Sequence, residues 1–244
     1  SPRISARTSR PPGHTWTGPT RSGKSVNTDE LIGEMLAAAN PENAGPMAKY
    51  MRGQFSFLGV PASVRKPIQR PYFAVARKDP HADWAFVAQC WTLPQREFQY
   101  VACDYLHAVR KHLGPDDLAR IKSLASSKQW WDSIDALSKT VGAIAASSPA
   151  AREAVIEWAG DADFWIRRLA IIHQLGHKEA TDTGVLARIL TANLGSEEFF
   201  INKAIGWALR EYSKTSPEWV ARFIAEFGER MDALSLREGS KYLP

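Results

Sequence analysis

From Thr28 onward, apolar side chains recur every three or four positions in segments of roughly 10 to 18 residues. This spacing places them on one face of an α-helix, and Gly, Pro and Ser-Glu-Glu breaks separate the segments. We find no stretch that reads as strands separated by hairpin turns. The clearest predicted helices span residues 82–93, 150–159, 163–175, 183–194, 196–212 and 216–227. The pattern therefore predicts an all-α protein.

Capping and proline signals set the expected helix boundaries in the first half of the chain. Thr28, followed by two acidic residues, begins a helix that Asn40-Pro41 ends, and Pro46 opens the next one. Pro94 suits the first position of a further helix, because a proline there loses no hydrogen bond. A later helix carries Trp131.

Successive helix pairs are joined by short loops and recur at roughly 35 to 45 residues, the spacing of HEAT-like repeats, although the repeats share little sequence. We therefore expect a right-handed solenoid of antiparallel helix pairs. The concave side of such a stack forms a long binding groove.

Charge is distributed unevenly along the chain. Residues 1–27 are rich in Ser, Pro, Gly, Thr and Arg and lack apolar periodicity, so we expect a disordered basic leader before one folded domain at residues 28–244. Of the 31 basic residues, five lie in the leader, and the remaining 26 equal the 26 acidic residues. The sequence pI of about 9.2 is therefore no evidence for a nucleic-acid surface.

Two further observations bear on location. No apolar run approaches the ~20 residues that a membrane helix needs. The two cysteines, Cys90 and Cys103, do not form a disulfide framework, and we expect both to be buried thiols on neighbouring helices. With no signal peptide visible, we expect a cytoplasmic protein.

The stretch from Lys128 to Leu137 is the strongest candidate for chemistry, because it combines adjacent tryptophans with two carboxylates. On a helix, Trp131 and Asp135 are four residues apart and share one face. An aromatic ring face and a carboxylate both attract positive charge, so this pair suits a flat, cationic ligand. We interpret Asp132 as a solvated or capping residue.

Two later residues carry both a functional and a structural interpretation. Arg168 borders the apolar stripe of its helix, so it could either hold a ligand or form an ion pair on the helix surface. Trp207, with Lys203 and Glu211 four residues away on either side, could either offer a second aromatic face to the ligand or pack in the core or an interface.

His173 and His177 have a spacing that can bind zinc on one helix. No Glu follows His173 as in the His-Glu-x-x-His motif, and no third ligand is evident. We therefore predict neither a metal nor a cofactor.

Five stretches, in this order, resemble the AlkD family of alkylpurine DNA glycosylases. They are residues 46–51 with 57–59, residues 93–99, residues 130–135, residues 198–212 and residues 234–238. The resemblance extends from about residue 28 to the C-terminus. It implies a solenoid of HEAT-like repeats that clasps duplex DNA in its concave groove, and removal of N3- and N7-alkylated purines by a monofunctional glycosylase without base flipping.

The resemblance also implies roles for individual residues. The residues that face the damaged nucleotide would be Trp131, Asp135, Arg168 and Trp207, with Arg168 holding a phosphate. The further DNA-binding residues would be Tyr50, Arg65, Lys66, Lys203 and Arg210, of which Arg65 and Lys66 lie just after a turn. We expect the protein to act as a monomer on double-stranded DNA that contains alkylated purines.

The implied chemistry agrees with the residue types. An alkylated purine is cationic and leaves without protonation, so the enzyme needs a negative group that stabilises an oxocarbenium-like sugar. Asp135 is that group and can also orient the attacking water. The alternative function is a non-catalytic HEAT-like scaffold that binds DNA or protein. A scaffold has no reason to place a carboxylate between two tryptophans in a DNA groove, where it repels phosphate.

Overall fold

The computed structural model describes residues 26–243. Within that range every regular element is helical, apart from one bridge pair between Ser56 and Gln95. The α-helices are α1 (Thr28–Ala37), α2 (Pro41–Tyr50), α3 (Ala62–Ala76), α4 (Trp84–Thr92), α5 (Arg96–Ala108), α6 (Leu118–Ala125), α7 (Trp131–Ser147), α8 (Pro149–Glu157), α9 (Phe164–Ile172), α10 (Thr183–Ala192), α11 (Phe199–Ser213), α12 (Pro217–Phe227) and α13 (Ala233–Gly239). The predicted all-α fold is confirmed.

Side chains just before the helices fix many of the helix starts. An Asn, Asp, Glu or Ser accepts a hydrogen bond from a first-turn N–H and satisfies a donor that the helix leaves free. The residues that cap in this way are Asn27, Asn40, Asp83, Ser148, Asp163, Asp182, Glu198 and Asp232. These caps explain why the later helix starts could be predicted from sequence to within three residues.

The helices form two layers. In one layer α3, α5, α7, α9, α11 and α13 pack side by side in chain order. The helices α4, α6, α8, α10 and α12 pack against this row as a second layer. We call the first row the inner layer and the second the outer layer. This alternation is the arrangement of a helical repeat solenoid.

Polar contacts repeat along the stack with nearly the period of the helix pairs. The partners are 33 to 39 residues apart in Arg65–Asp104, Arg96–Asp132, Asp135–Arg168 and Lys203–Glu238. Arg188 and Glu153 form an equivalent pair in the outer layer, 35 residues apart. The repeats share little sequence, but four of the five junctions between neighbouring inner-layer helices contain a charged pair at a similar offset, and Arg168 joins α9 to α11 through the backbone carbonyl of Phe200 instead.

Three expectations at the N-terminal end were wrong. Helix α2 begins at Pro41, capped by Asn40, so Pro46 lies inside the helix rather than at its start. Helix α5 begins at Arg96, two residues after Pro94. Arg65 and Lys66 lie within α3, a helix that we did not predict because it contains two prolines.

The predicted basic leader largely lies outside the described residues. Val26 is buried and Asn27 caps α1, so both belong with the folded part. Cys90 and Cys103 are buried free thiols on α4 and α5, as expected, and burial raises the pKa of Cys90 to about 12. Among residues 26–243, no helix is long and apolar enough to cross a membrane.

Candidate active site

The carboxylate of Asp135 is joined to the guanidinium of Arg168. Asp135 lies in the second turn of α7 and Arg168 in the second turn of α9. The Nε and Nη2 atoms of Arg168 donate to the two carboxylate oxygens at 2.9 and 3.0 Å, and its Nη1 donates to the carbonyl oxygen of Phe200 on α11 at 2.8 Å. This fork fixes the orientation of the carboxylate and ties three inner-layer helices together.

Burial and ion pairing act in opposite directions on Asp135. Burial raises the pKa of the carboxyl, because the charged form is poorly solvated there, whereas the hydrogen bonds and charge of Arg168 lower it. The Arg168 side chain is only 4% exposed, but that of Asp135 remains 18% exposed. The carboxylate is therefore held rigidly from behind and can still be reached from solvent.

Trp131 lies one turn before Asp135 and forms an aromatic wall with Tyr50. The two rings meet edge to face, with centroids 6.0 Å apart and planes at 82°. Trp131 is half-buried, whereas Tyr50 is 71% exposed. Tyr50 also lines an apolar cleft of about 280 Å³. An exposed tyrosine in this position has a free face for a ligand.

Trp207, the other tryptophan expected to face the damaged nucleotide, is half-buried on α11. It lies seven residues, or two turns, after Phe200, whose carbonyl binds Arg168. Lys203 and Arg210 share its helix, four residues before and three residues after it, and both bind Glu238 of α13. The hydrogen bonds join Asp135 to Arg168 directly. Trp131 is related to this pair by its position one turn before Asp135 on α7, and Trp207 only along α11 through Phe200.

The predicted DNA-binding residues on α3 differ from each other. Lys66 is exposed. Arg65 is buried, donates to Asp104 at 3.1 Å and lies over the ring of Tyr100 at 4.9 Å. Arg65 therefore contributes to packing between α3 and α5 in the free protein.

The interpretation of Asp132 as a solvated or capping residue was wrong. Its side chain is 6% exposed and accepts two hydrogen bonds from Arg96, at 2.6 and 2.9 Å, and a third from the Tyr100 hydroxyl at 2.6 Å. Arg96 is fully buried and also binds the carbonyl oxygen of Lys128, which adopts a positive φ of 47°. These bonds hold the turn that presents Trp131.

Sequence reasoning missed this role of Arg96, although residues 93–99 were recognised as a motif. The next residue, Glu97, explains a second motif. Its buried carboxylate accepts hydrogen bonds from the backbone N–H groups of Leu58, Gly59 and Val60, at 2.9 to 3.1 Å. The stretches 57–59 and 93–99 therefore bind each other. The sequence signal that could have revealed these contacts is the presence of two adjacent charged residues, Arg96 and Glu97, at the start of a largely apolar helix.

Aromatic rings fill the space where α7, α9 and α11 begin. Trp130 and Trp165 both pack against Phe200, with ring centroids 5.5 and 4.7 Å away. Phe164 joins them, and the guanidinium of Arg168 lies 6.0 Å from the Phe200 ring. This cluster shields one side of the Asp135–Arg168 pair from water and so strengthens the electrostatic interaction.

The two candidate histidines do not share a helix, because α9 ends at Ile172. His173 is buried, its Nδ1 lies 2.6 Å from the carbonyl oxygen of Ala170, and burial lowers its pKa to about 4. Residues 26–243 contain no group of three or more His, Cys, Asp or Glu side chains arranged to hold a metal ion.

A cavity of about 310 Å³ lies between the C-terminal parts of α9 and α11, with Gln174, Lys178 and Tyr212 in its wall. It contains none of the predicted site residues. We place the candidate active site at Asp135 instead, because that is where a held carboxylate, a buried cation and exposed aromatic rings meet.

Fold and site together define an all-α repeat protein that holds a carboxylate–arginine pair beside aromatic rings. A family model described as "DNA alkylation repair enzyme" matches residues 31–243, and the chain belongs to that family. A solved structure described as a predicted DNA alkylation repair enzyme from Enterococcus faecalis is 35% identical in sequence, with a TM-score of 0.77 over 84% of this chain and 96% of that one. No curated protein sequence matches significantly. Family membership gives the protein a role in DNA repair and indicates an enzyme.

Proposed function

We propose that the protein is a DNA glycosylase that hydrolyses the N-glycosidic bond of N3- and N7-alkylated purines in duplex DNA. The observation that carries the proposal is Asp135: a partly desolvated carboxylate, fixed by Arg168 and one turn away from Trp131. This arrangement concentrates negative charge where positive charge would develop during bond cleavage.

The chemistry needs few catalytic groups because the substrate is already activated. Alkylation at N3 or N7 makes the purine cationic, so it leaves as a neutral base without a general acid. Cleavage then transfers the positive charge to the deoxyribose, and Asp135 stabilises it electrostatically. The same carboxylate accepts a proton from the water that attacks C1′. With water as the nucleophile, the product is an abasic site, as expected for a monofunctional glycosylase.

The remaining predicted residues act on binding and geometry. Trp131, Trp207 and Tyr50 present aromatic faces that favour a cationic nucleotide. Because the guanidinium of Arg168 is committed to Asp135 and Phe200, we assign it to positioning the carboxylate rather than to gripping a phosphate. Lys66 is exposed and suited to contact the DNA backbone. Aromatic walls on a surface need no base-flipping pocket, and we propose that the protein acts as a monomer without a cofactor.

Release of free base tests this proposal directly. Duplex DNA methylated at purine nitrogens is incubated with the protein, and liberated purines are measured by chromatography, with unmethylated duplex as the control. We expect methylated adenine or guanine to appear in proportion to enzyme and time, and no release from the control. Binding of either duplex without release of base would instead favour the non-catalytic scaffold.

A further inference from the structure

Glu238 holds two of the cations that we assign to DNA binding. Its carboxylate binds Lys203 Nζ at 3.0 Å and also accepts a hydrogen bond from Arg210 Nη1. The side chain of Glu238 is 17% exposed, and those of Lys203 and Arg210 are 38% and 25% exposed. One carboxylate thus takes the place that a phosphate oxygen would take between two cations.

The position of Glu238 is fixed by backbone packing between α11 and α13. A Cβ atom added at Gly206 would lie 2.6 Å from Glu238 Cβ and 3.3 Å from Ser235 Cα, so only glycine allows this approach. Ser235 Oγ donates to the carbonyl oxygen of Asn202, which ties the same two helices. The carboxylate is bound by Lys203 and Arg210, which lie four residues before and three residues after Trp207 on α11.

We propose that Glu238 limits the affinity of the protein for DNA by neutralising Lys203 and Arg210 in the free state. A phosphate that binds these cations has to share them with a carboxylate that repels it. Lys203, Arg210 and Glu238 together carry one positive charge, whereas the two cations without Glu238 would carry two. DNA binding therefore includes one effective phosphate contact fewer than it would without Glu238. A lowered affinity for DNA suits a repair enzyme, because weaker non-specific binding lets the enzyme leave undamaged DNA.

The inference rests on the proposed function and on the DNA-binding role that the family resemblance implies for Lys203 and Arg210. It adds a residue that opposes binding, located on the last described helix. In the free protein the lowered pKa of Glu238, caused first by its hydrogen bond to Lys203, keeps the carboxylate charged.

The test compares Glu238→Gln with Glu153→Gln in titrations of an undamaged fluorescent duplex at several salt concentrations. Glu153 pairs with Arg188 in the outer layer, so its variant changes the net charge equally but far from the inner-layer cations. We expect Glu238→Gln to bind roughly five- to tenfold more tightly at low salt, with the slope of log K against log salt steeper by about 0.9. Glu153→Gln should bind like the wild type.

A second comparison removes Lys203 in both backgrounds. Lys203→Met should weaken binding more in the Glu238→Gln protein than in the wild type, because in the wild type its charge is already balanced. Equal effects in both backgrounds, or unchanged or weaker binding by a normally folded Glu238→Gln, would overturn the inference while leaving base release intact. If the wild type itself neither binds duplex nor releases base, the proposed function fails, and this inference fails with it.

Discussion

The pKa of the Asp135 carboxyl is set by two opposing effects. Burial raises its pKa, and Arg168 limits that rise by binding both carboxylate oxygens. The sequence predicted that the aspartate and the arginine belong to one site, but not that they bind each other. The fork depends on how α7 and α9 pack, and residue spacing within either helix carries no information about that contact.

Arg168→Met tests the positioning role. Without the guanidinium the pKa of Asp135 should rise further, and the carboxylate is lost as pH falls through that pKa. The single-turnover rate should therefore decline at a higher pH than in the wild type, whose own decline should already lie above the usual Asp value of about 3.9. Because breaking a buried pair costs about 3–5 kcal/mol, the assays should be run at low temperature with the fold checked by circular dichroism.

The control for that variant is Arg167→Met. In the wild type the Arg167 guanidinium binds the backbone oxygens of Asp161 and Ala162 and not the Asp135 carboxylate. It should leave the pH profile unchanged. A direct phosphate role for Arg168 predicts something different: a salt dependence of duplex binding that is shallower by about one phosphate, with the pH profile unmoved. That result would return Arg168 to the role first expected for it.

The tryptophans differ in burial, and the melting temperatures of their alanine variants should differ accordingly. Trp165 is 6% exposed, and Trp165→Ala should cost ~3–5 kcal/mol, which lowers the melting temperature by several degrees. Trp131 and Trp207 are half-buried and pack against the core with part of each ring, so alanine should cost less there. Trp84 is also only half-buried, and its Nε1 donates to Asp117.

Activity completes the comparison. Trp131→Ala should lose base release out of proportion to its stability, because Trp131 packs against the exposed ring of Tyr50 and lies one turn before Asp135 on α7. Should Trp131→Ala and Trp207→Ala melt as low as Trp165→Ala, both rings belong to the core and the site has been placed wrongly.

At the scale of helices, the sequence pattern worked where the buried face is apolar and failed where it is polar. Helices α8 to α12 lie within three residues of their predicted bounds. Helix α3 was missed because Arg65 and Gln69 occupy its buried face, bonded to Asp104, while Pro67 and Pro71 interrupt its exposed face. An inward position filled by a polar residue hides the helical period.

Glu97 gives a test at this scale. Glu97→Ala would leave the N–H groups of residues 58–60 buried without an acceptor, and each costs about 1–3 kcal/mol. We expect a large drop in melting temperature and faster amide exchange at these three residues. Glu153→Ala, which removes an exposed pair, should change stability by less than about 1 kcal/mol. Similar melting of the two variants would mean that Glu97 does not hold the loop.

Across residues 26–243, charged pairs join most neighbouring helices of the inner layer. The period of roughly 35 to 45 residues could be predicted from sequence, because helices and breaks alternate regularly. The partners of the charged pairs could not be predicted, because Arg65, Arg96 and Lys203 each bind an acid 35 to 39 residues away, and no local sequence feature identifies that acid. Many inner-layer cations are therefore already paired, and under the proposed function DNA would have to compete for them.

If the carboxylate of Asp135 performs the chemistry, Asp135→Asn should slow base excision without unfolding the protein. Asparagine keeps the shape and one oxygen for Arg168 but removes the negative charge. Excision from methylated duplex should be measured under single-turnover conditions, beside Asp161→Asn, which loses an acid paired with Lys122. We predict that Asp135→Asn stays folded, binds duplex and excises on the order of a hundredfold or more slowly, as expected for ~3–4 kcal/mol of lost stabilisation, while Asp161→Asn excises normally. An Asp135→Asn rate within threefold of the wild type would mean that the Asp135 carboxylate does not perform the chemistry.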